Sequence, residues 1–216
     1  MDAKVGLKPE VEVIQEPIPH LLVPGEMGAV LELTVKDKDG KVTEHRVMRS
    51  ESYVRQFLEL LWVVMNHLPG TVPLSMKDTT NVARDVYEDY KNFNCDGIAD
   101  DDTLGIIAGT GTTAPTIDDY VIETIIAHGN AAGQLEYSSH VIAAVASDAT
   151  TSQLTITRNF ANASGGEITV TEIALYVHGF DGATKDFMVI RDVIAGGIAV
   201  PDGQTLTVNY REQVVV

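Results

Sequence analysis

From residue 104 onward the chain is written almost entirely as short alternating stretches divided by turn residues, and this pattern leaves few folds open. In LTITRNF (154–160), Leu154, Ile156, Arg158 and Phe160 fall on one face and Thr155, Thr157 and Asn159 on the other. NASGGE makes a turn, EITVTEIALYVHG (167–179) returns, DGATKD turns again, FMVIRDVI (187–194) follows, and PDGQ leads into TLTVNYREQVVV. Period-two alternation with Gly/Asn/Asp turns this close together predicts antiparallel strands packed as a sandwich or jelly roll. The alternation slips at Thr171-Glu172, which predicts a bulge or a change of face. No fixed-period repeat is visible, which argues against a solenoid or propeller.

The first half is more varied. Residues 1–28 carry Pro9, Pro17, Pro19 and Pro24 and read as an extended arm that would lie on something else. AVLELTV, an Asp39-Gly40 turn and VTEHRVM predict a hairpin over 29–48. Residues 50–68 predict the one strong helix. Ser50 or Ser52 would cap it, and Tyr53, Phe57, Leu60, Leu61 and Val64 form an apolar stripe. Trp62, Val63 and Met65 widen that stripe, so burial on two sides is expected, with Pro69-Gly70 as the stop. Asn81 to Tyr90 suggests a further short helix. The expected organisation is mainly β: an arm (1–28), a hairpin–helix docking region (29–103) and an antiparallel β-sandwich or jelly-roll-like module (104–216), with 28–216 open to being one integrated domain.

Charge and composition narrow the functional classes. The 216 residues carry a formal net charge of -16, which opposes any broad nucleic-acid or anionic-membrane surface, since both need clustered Lys and Arg. A single cysteine, Cys95, rules out an intrachain disulfide. The polar start shows no signal-type segment, and Leu60–Met65 is too short to cross a bilayer, so synthesis in a cytoplasm is expected.

Gly109-Thr110-Gly111-Thr112-Thr113-Ala114, after the apolar run 104–108, fits G-x-G-x-x-[G/A]. Pro115 follows directly, however. Thr116 then reads as the N-cap of a short helix, IDDYVIETII, that starts too late to meet a pyrophosphate and carries Asp118 and Asp119 in its first turn. The glycines are better read as permitting a tight, positive-φ turn. Asp96, Asp100, Asp101 and Asp102 cluster around Gly97, but their spacing is not that of a calcium loop. Asp96, Asp100 and Asp102 therefore stand as weak metal candidates beside the simpler reading of a solvated acidic turn. The six histidines are scattered, Cys95 lacks an activating basic neighbour, and no G-x-S-x-G elbow occurs. No catalytic residue, cofactor, metal or small-molecule ligand is expected. Glu172, Arg158 and Arg191 interrupt apolar strand faces, which predicts a buried or intersubunit ion pair, or edge protection.

Three segments carry a resemblance: GIIAGTGTTAPTIDDYVIETIIAHG, LTITRNFANASGGEITVTEIALYVHG and FMVIRDVIAGGIAVPDGQTLTVNY. Together they resemble a β-rich module of tailed-bacteriophage virion proteins, found in tail, fibre and head-associated subunits. The likeness covers about residues 104 to 216 and leaves the N-terminal half without a counterpart. It implies a non-enzymatic homo-oligomeric subunit, made in a host bacterial cytoplasm and ending in the virion. Its partners would be copies of itself and other virion proteins, in the tail, appendage or connector or on the capsid as a decoration protein. Trp62, Pro17, Pro19, Val214 and Val215 are the candidate assembly residues, with REQVVV as an end that a neighbouring subunit could pair. The alternatives are a carbohydrate- or receptor-binding sandwich and, third, a nucleotide-dependent enzyme or a glycosidase.

Overall fold

The computed structural model describes residues 21–50 and 52–216. Pro17, Pro19 and most of the expected arm lie outside the described residues. The strands are β1 (Met27–Lys36), β2 (Val42–Ser50), β3 (Leu74–Lys77), β4 (Ala83–Val86), β5 (Gly105–Gly109) and β6 (Glu136–Tyr137). They continue with β7 (Val141–Ile142), β8 (Ala146–Ser147), β9 (Thr151–Ala161), β10 (Ile168–Phe180), β11 (Thr184–Val200) and β12 (Thr205–Val215), and one helix, α1 (Arg55–Met65), follows β2.

Two antiparallel sheets face each other across one core, so the chain is mainly β and sandwich-like. The first sheet runs β2-β1-β12-β9, with β6, β7 and β8 pairing successive parts of β9. The second runs β11-β10-β5, and β3-β4 is a separate hairpin. The alternation in the sequence sets the faces. Leu31, Leu33 and Val35 of β1, Leu206, Val208 and Tyr210 of β12, and Ile156, Arg158 and Phe160 of β9 point inward and are buried. The outward face of this sheet is polar, tied by Thr157 donating to Asn209 (2.7 Å) and Thr207 donating to Asn159 (2.7 Å), as a half-solvated antiparallel sheet requires. The second sheet is covered on both sides, so alternation disappears: Leu175, Tyr176 and Val177 are all buried, as are Phe187 to Ile190. The predicted bulge is present. From Val170 to Glu172 a step of two along β10 faces a step of five along β11, from Ile198 to Val193, with Gly196 and Gly197 taking positive φ (76° and 66°).

The hairpin β1–β2 turns as expected, with Asp37 accepting from the Asp39 and Lys41 amides and Gly40 at φ 80°. The helix is shorter than its pattern. Val54 stands at the N-cap without a side-chain cap, because Ser50 ends β2 and donates instead to Asp192 (2.8 Å). Leu60 and Val63 are buried beside Gln56, each apolar side chain contributing roughly 1.5–3 kcal/mol. Burial is on one side only: Leu58, Trp62 and Met65 stay exposed.

Two expected helices are absent. Over 81–90 the chain forms β4, paired with β3. Buried Asp78 directs that turn by accepting from the Thr80 and Val82 amides and pairing with Arg84 (2.6 Å), and Asn81 takes φ 64°. Over 117–126 the chain is irregular. The Ile122 and Glu123 amides, which a helix would bond to carbonyls four residues back, donate instead to the Tyr176 hydroxyl (2.8 Å) and the Glu172 carboxylate (3.1 Å).

The C-terminal strand is not an edge. β12 lies between β1 and β9, bonded on both sides from Thr205 to Val214. Val215 is buried against Leu22 and Val30, while Val214 remains half-exposed. The pairing expected of REQVVV with a neighbour is thus made within the chain.

Candidate functional site

The glycine loop after β5 ends in a clasp built by its own acidic residues. Glu172 of β10 is fully buried and accepts from the Gly111 amide (3.1 Å), the Glu123 amide and the Arg191 Nε (2.5 Å). Glu123 accepts from the Thr112 and Thr113 amides (3.0 Å each). Asp119 pairs with Arg191 (2.5 Å) and accepts from the Thr116 amide and hydroxyl. The three amides that a phosphate would need are therefore bound to carboxylates. Loop amides and Arg191 hold the Asp119 and Glu123 carboxyls below their usual range. For Asp119 they overcome the opposing effect of burial. Its carboxylate partners raise Arg191 against a larger desolvation penalty. The expected ion pair is present, within one chain.

Gly109 and Gly111 are required for a different reason than expected. Neither has positive φ. A Cβ on Gly109 would stand 2.6 Å from both Ile122 Cδ1 and the Thr124 carbonyl. One on Gly111 would stand 2.6 Å from Glu123 Cβ and 2.7 Å from Glu172 Cδ. They are sites of close approach, not of left-handed backbone.

Arg158 is fully buried and donates only to backbone carbonyls. Nε reaches Ser138 (2.9 Å), Nη1 reaches Leu104 and Ile106, and Nη2 reaches Ile98 and Asp101. Its guanidinium lies 4.7 Å from the centre of the Tyr137 ring. Burial lowers its pKa to about 10, so it remains charged at neutral pH. The side chain ties the irregular segment 98–104 and the start of β5 to β9. His140 completes the tie: Nε2 accepts from the Ile106 amide (2.7 Å) and Nδ1 donates to the Gly97 carbonyl (2.9 Å). Desolvation pushes its pKa down to about 4, which makes it a neutral connector.

A third polar group sits between the sheets. Tyr53 donates to Glu212, and Tyr210 donates to Asp192 (2.9 Å), which also accepts from Ser50. Burial first, and then the nearby Asp192 charge, raise the Glu212 pKa against the bond from Tyr53.

The acidic turn does not converge. Asp102 accepts from the His128 amide (2.8 Å), Asp101 caps Thr103, Asp100 lies 3.4 Å from His128, and the amide of Asp96 bonds Asn94. Among the described residues no three His, Cys, Asp or Glu side chains come together as a metal site. Cys95 is buried and its thiol is pushed up to about 11.

An apolar groove of about 500 Å³ lies on the outer side of α1, lined by Arg55, Leu58, Glu59, Trp62, Leu74 and Ile117. Arg55 is held at its rim by Asp118 (3.0 Å) and Glu59 (3.6 Å). Trp62 is 48% exposed and Ile117 62%, so the candidate residue Trp62 stands in a patch rather than alone. Asp78, Glu123, Tyr137 and His140 were not legible as a set. Only the Asp-Thr-Thr-Asn turn at 78–81 carried a local signal for one of them. Comparison with protein-family models, with curated proteins and with solved structures gives no match.

Proposed function

We propose that the chain is a non-catalytic structural subunit of a tailed-phage virion, working as a homo-oligomer in the tail, appendage or connector or on the capsid surface. Three sequence segments within residues 104–216 carry the resemblance. The observation that supports an assembly role is the outward side of α1, where Leu58, Trp62 and Met65 face solvent beside Ile117. A protein of net charge -16 keeps its surface soluble by repulsion, and an apolar patch on that background suits a macromolecular contact. The nucleotide alternative is opposed by the clasp, which uses the loop amides internally.

The test is negative-stain microscopy of the purified protein mixed with tail particles and, separately, with empty capsids. Attachment to one of them, abolished by Trp62→Ser in a variant that keeps its melting temperature, is the expected result. Decoration of neither particle overturns the reading.

A further inference from the structure

Among the described residues the outer edges of β5, β6 and β11 are covered, and two edges of the seven-stranded sheet stay open. The outer edge of β5 is covered by 122–126: Gly109 bridges Ile125, and Ile126 donates to Ala108. The outer edge of β11 is covered by 52–54, with Val54 donating to Val189 and Arg191 donating to Ser52. Over β6, Asp100 donates to Tyr137. The β2 edge is open but charged, carrying Glu44, His45, Arg46 and Arg49. Such charges are the usual guard against edge-to-edge pairing.

The remaining edge, Val141-Ile142-Ala143-Ala144-Val145-Ala146-Ser147, has no such guard. It spans β7 and β8, pairs β9 on one side, and has no further strand beyond it among the described residues. All seven residues are exposed, with Val141 at 64% and Val145 at 65%. None is charged, and none is proline or glycine. Ala143 donates to Thr155 of β9 (2.9 Å), so strand alternation turns the amide of Ile142 outward. One extra residue between Ala143 and Ala146, opposite Leu154, bulges the strand without adding charge.

We propose that this edge is the self-association surface of the protein, joining the seven-stranded sheet of one copy to that of a second copy by antiparallel pairing of 141–147 with itself. Charge selects this occupant. Two copies each at -16 repel, and 141–147 is a charge-free run through which a sheet can continue without opposing like charges. An edge paired with itself about a two-fold axis is also self-complementary in its backbone groups, as an isologous contact must be. The inference names a surface for the self-association that the assembly reading contains, and rests on that reading for its biological role.

The test is light scattering of the full chain across a salt series, with Val141→Lys/Val145→Lys beside the wild type. Both positions are exposed, so the melting temperature should stay that of the wild type. The wild type should be dimeric or larger, and more so at higher salt, because screening removes repulsion and the contact holds no ion pair. The lysine variant should be monomeric. Ala144→Cys should cross-link between copies under oxidation, since facing strands bring Cα atoms within disulfide range, and Thr43→Cys on the β2 edge should not. A monomeric wild type, an oligomer that survives the lysines, or cross-linking at Thr43→Cys instead of Ala144→Cys overturns the proposal. Loss of the oligomer on removal of residues 1–20 reassigns the edge to a neighbour's arm and overturns self-pairing. Particle decoration by a wild type that fails these tests refutes the edge alone. An edge-paired oligomer that decorates nothing refutes the assembly reading alone.

Discussion

Replacing Gly111 with alanine tests the clasp directly. The added methyl would stand 2.6 Å from Glu123 Cβ and 2.7 Å from Glu172 Cδ, too close for either to remain. Glu172 cannot yield cheaply, because it is fully buried and held at once by Arg191 and by two amides. Moving it forfeits the Gly111 and Glu123 amide bonds, each worth about 1.5–3 kcal/mol because the acceptor is charged. The expected cost is therefore about 3–6 kcal/mol, which at about 2–4 °C per kcal/mol for a chain of this size lowers the melting temperature by about 6–24 °C. Gly166→Ala is the matched control, since a Cβ there meets nothing within 4 Å and its φ is not positive. Calorimetry of the two variants beside the wild type, with and without NAD or ATP, is the assay. A Gly111→Ala protein that melts with the control, or a wild type that a nucleotide stabilises, would refute the reasoning. Either result means the loop amides are not committed to Glu172 and Glu123.

Arg158→Met should destabilise by about 3–5 kcal/mol, the range for removing one side of a buried charged network, and should expose 98–106 first in hydrogen exchange. Arg158→Lys should recover only part, because three donors on a flexible stem cannot serve carbonyls on both sides of a planar fork. Glu212 has a folded pKa above its ordinary value of 4.5, so its protonated form favours the fold, and that contribution is lost as pH rises through the folded value. Glu212→Gln should therefore become the more stable protein above that window in urea melts, and equal stability of the two at every pH would remove the basis for this assignment.

Where a residue's partner lies on the same strand face, the sequence predicts the structure well. The inward set on β9, including the charged Arg158, reads directly from alternation, as do the hairpin turn at Asp39-Gly40 and the bulge near Thr171. The failures share one cause. The segments 81–90 and 117–126 carry helical patterns, but their backbone donors are taken by side chains far along the chain or by a local aspartate turn. Such donors cannot be inferred from a local window, because Tyr176 and Glu172 lie about fifty residues from the amides that they bind. The same holds for Gly111, whose need for a missing Cβ arises from two carboxylate side chains folded over it. The edge at 141–147 is apolar in the sequence, yet only strand pairing distinguishes an unguarded edge from a core strand.

The position of β12 has a consequence for biosynthesis. It joins β1 to β9, pairing Met27 with Val214 and Thr151 with Val215, so strands from both ends of the described chain meet only through it. A nascent chain that has exposed β1, β2 and β9 but still holds residues 205–215 inside the ribosome has a hairpin and a lone strand with nothing between them. Closure of the sheet must wait for that last strand, and the contacts it forms span nearly the whole polypeptide, a topology that folds slowly. Until β12 docks, the half-made sheet offers open β1 and β9 edges to other chains.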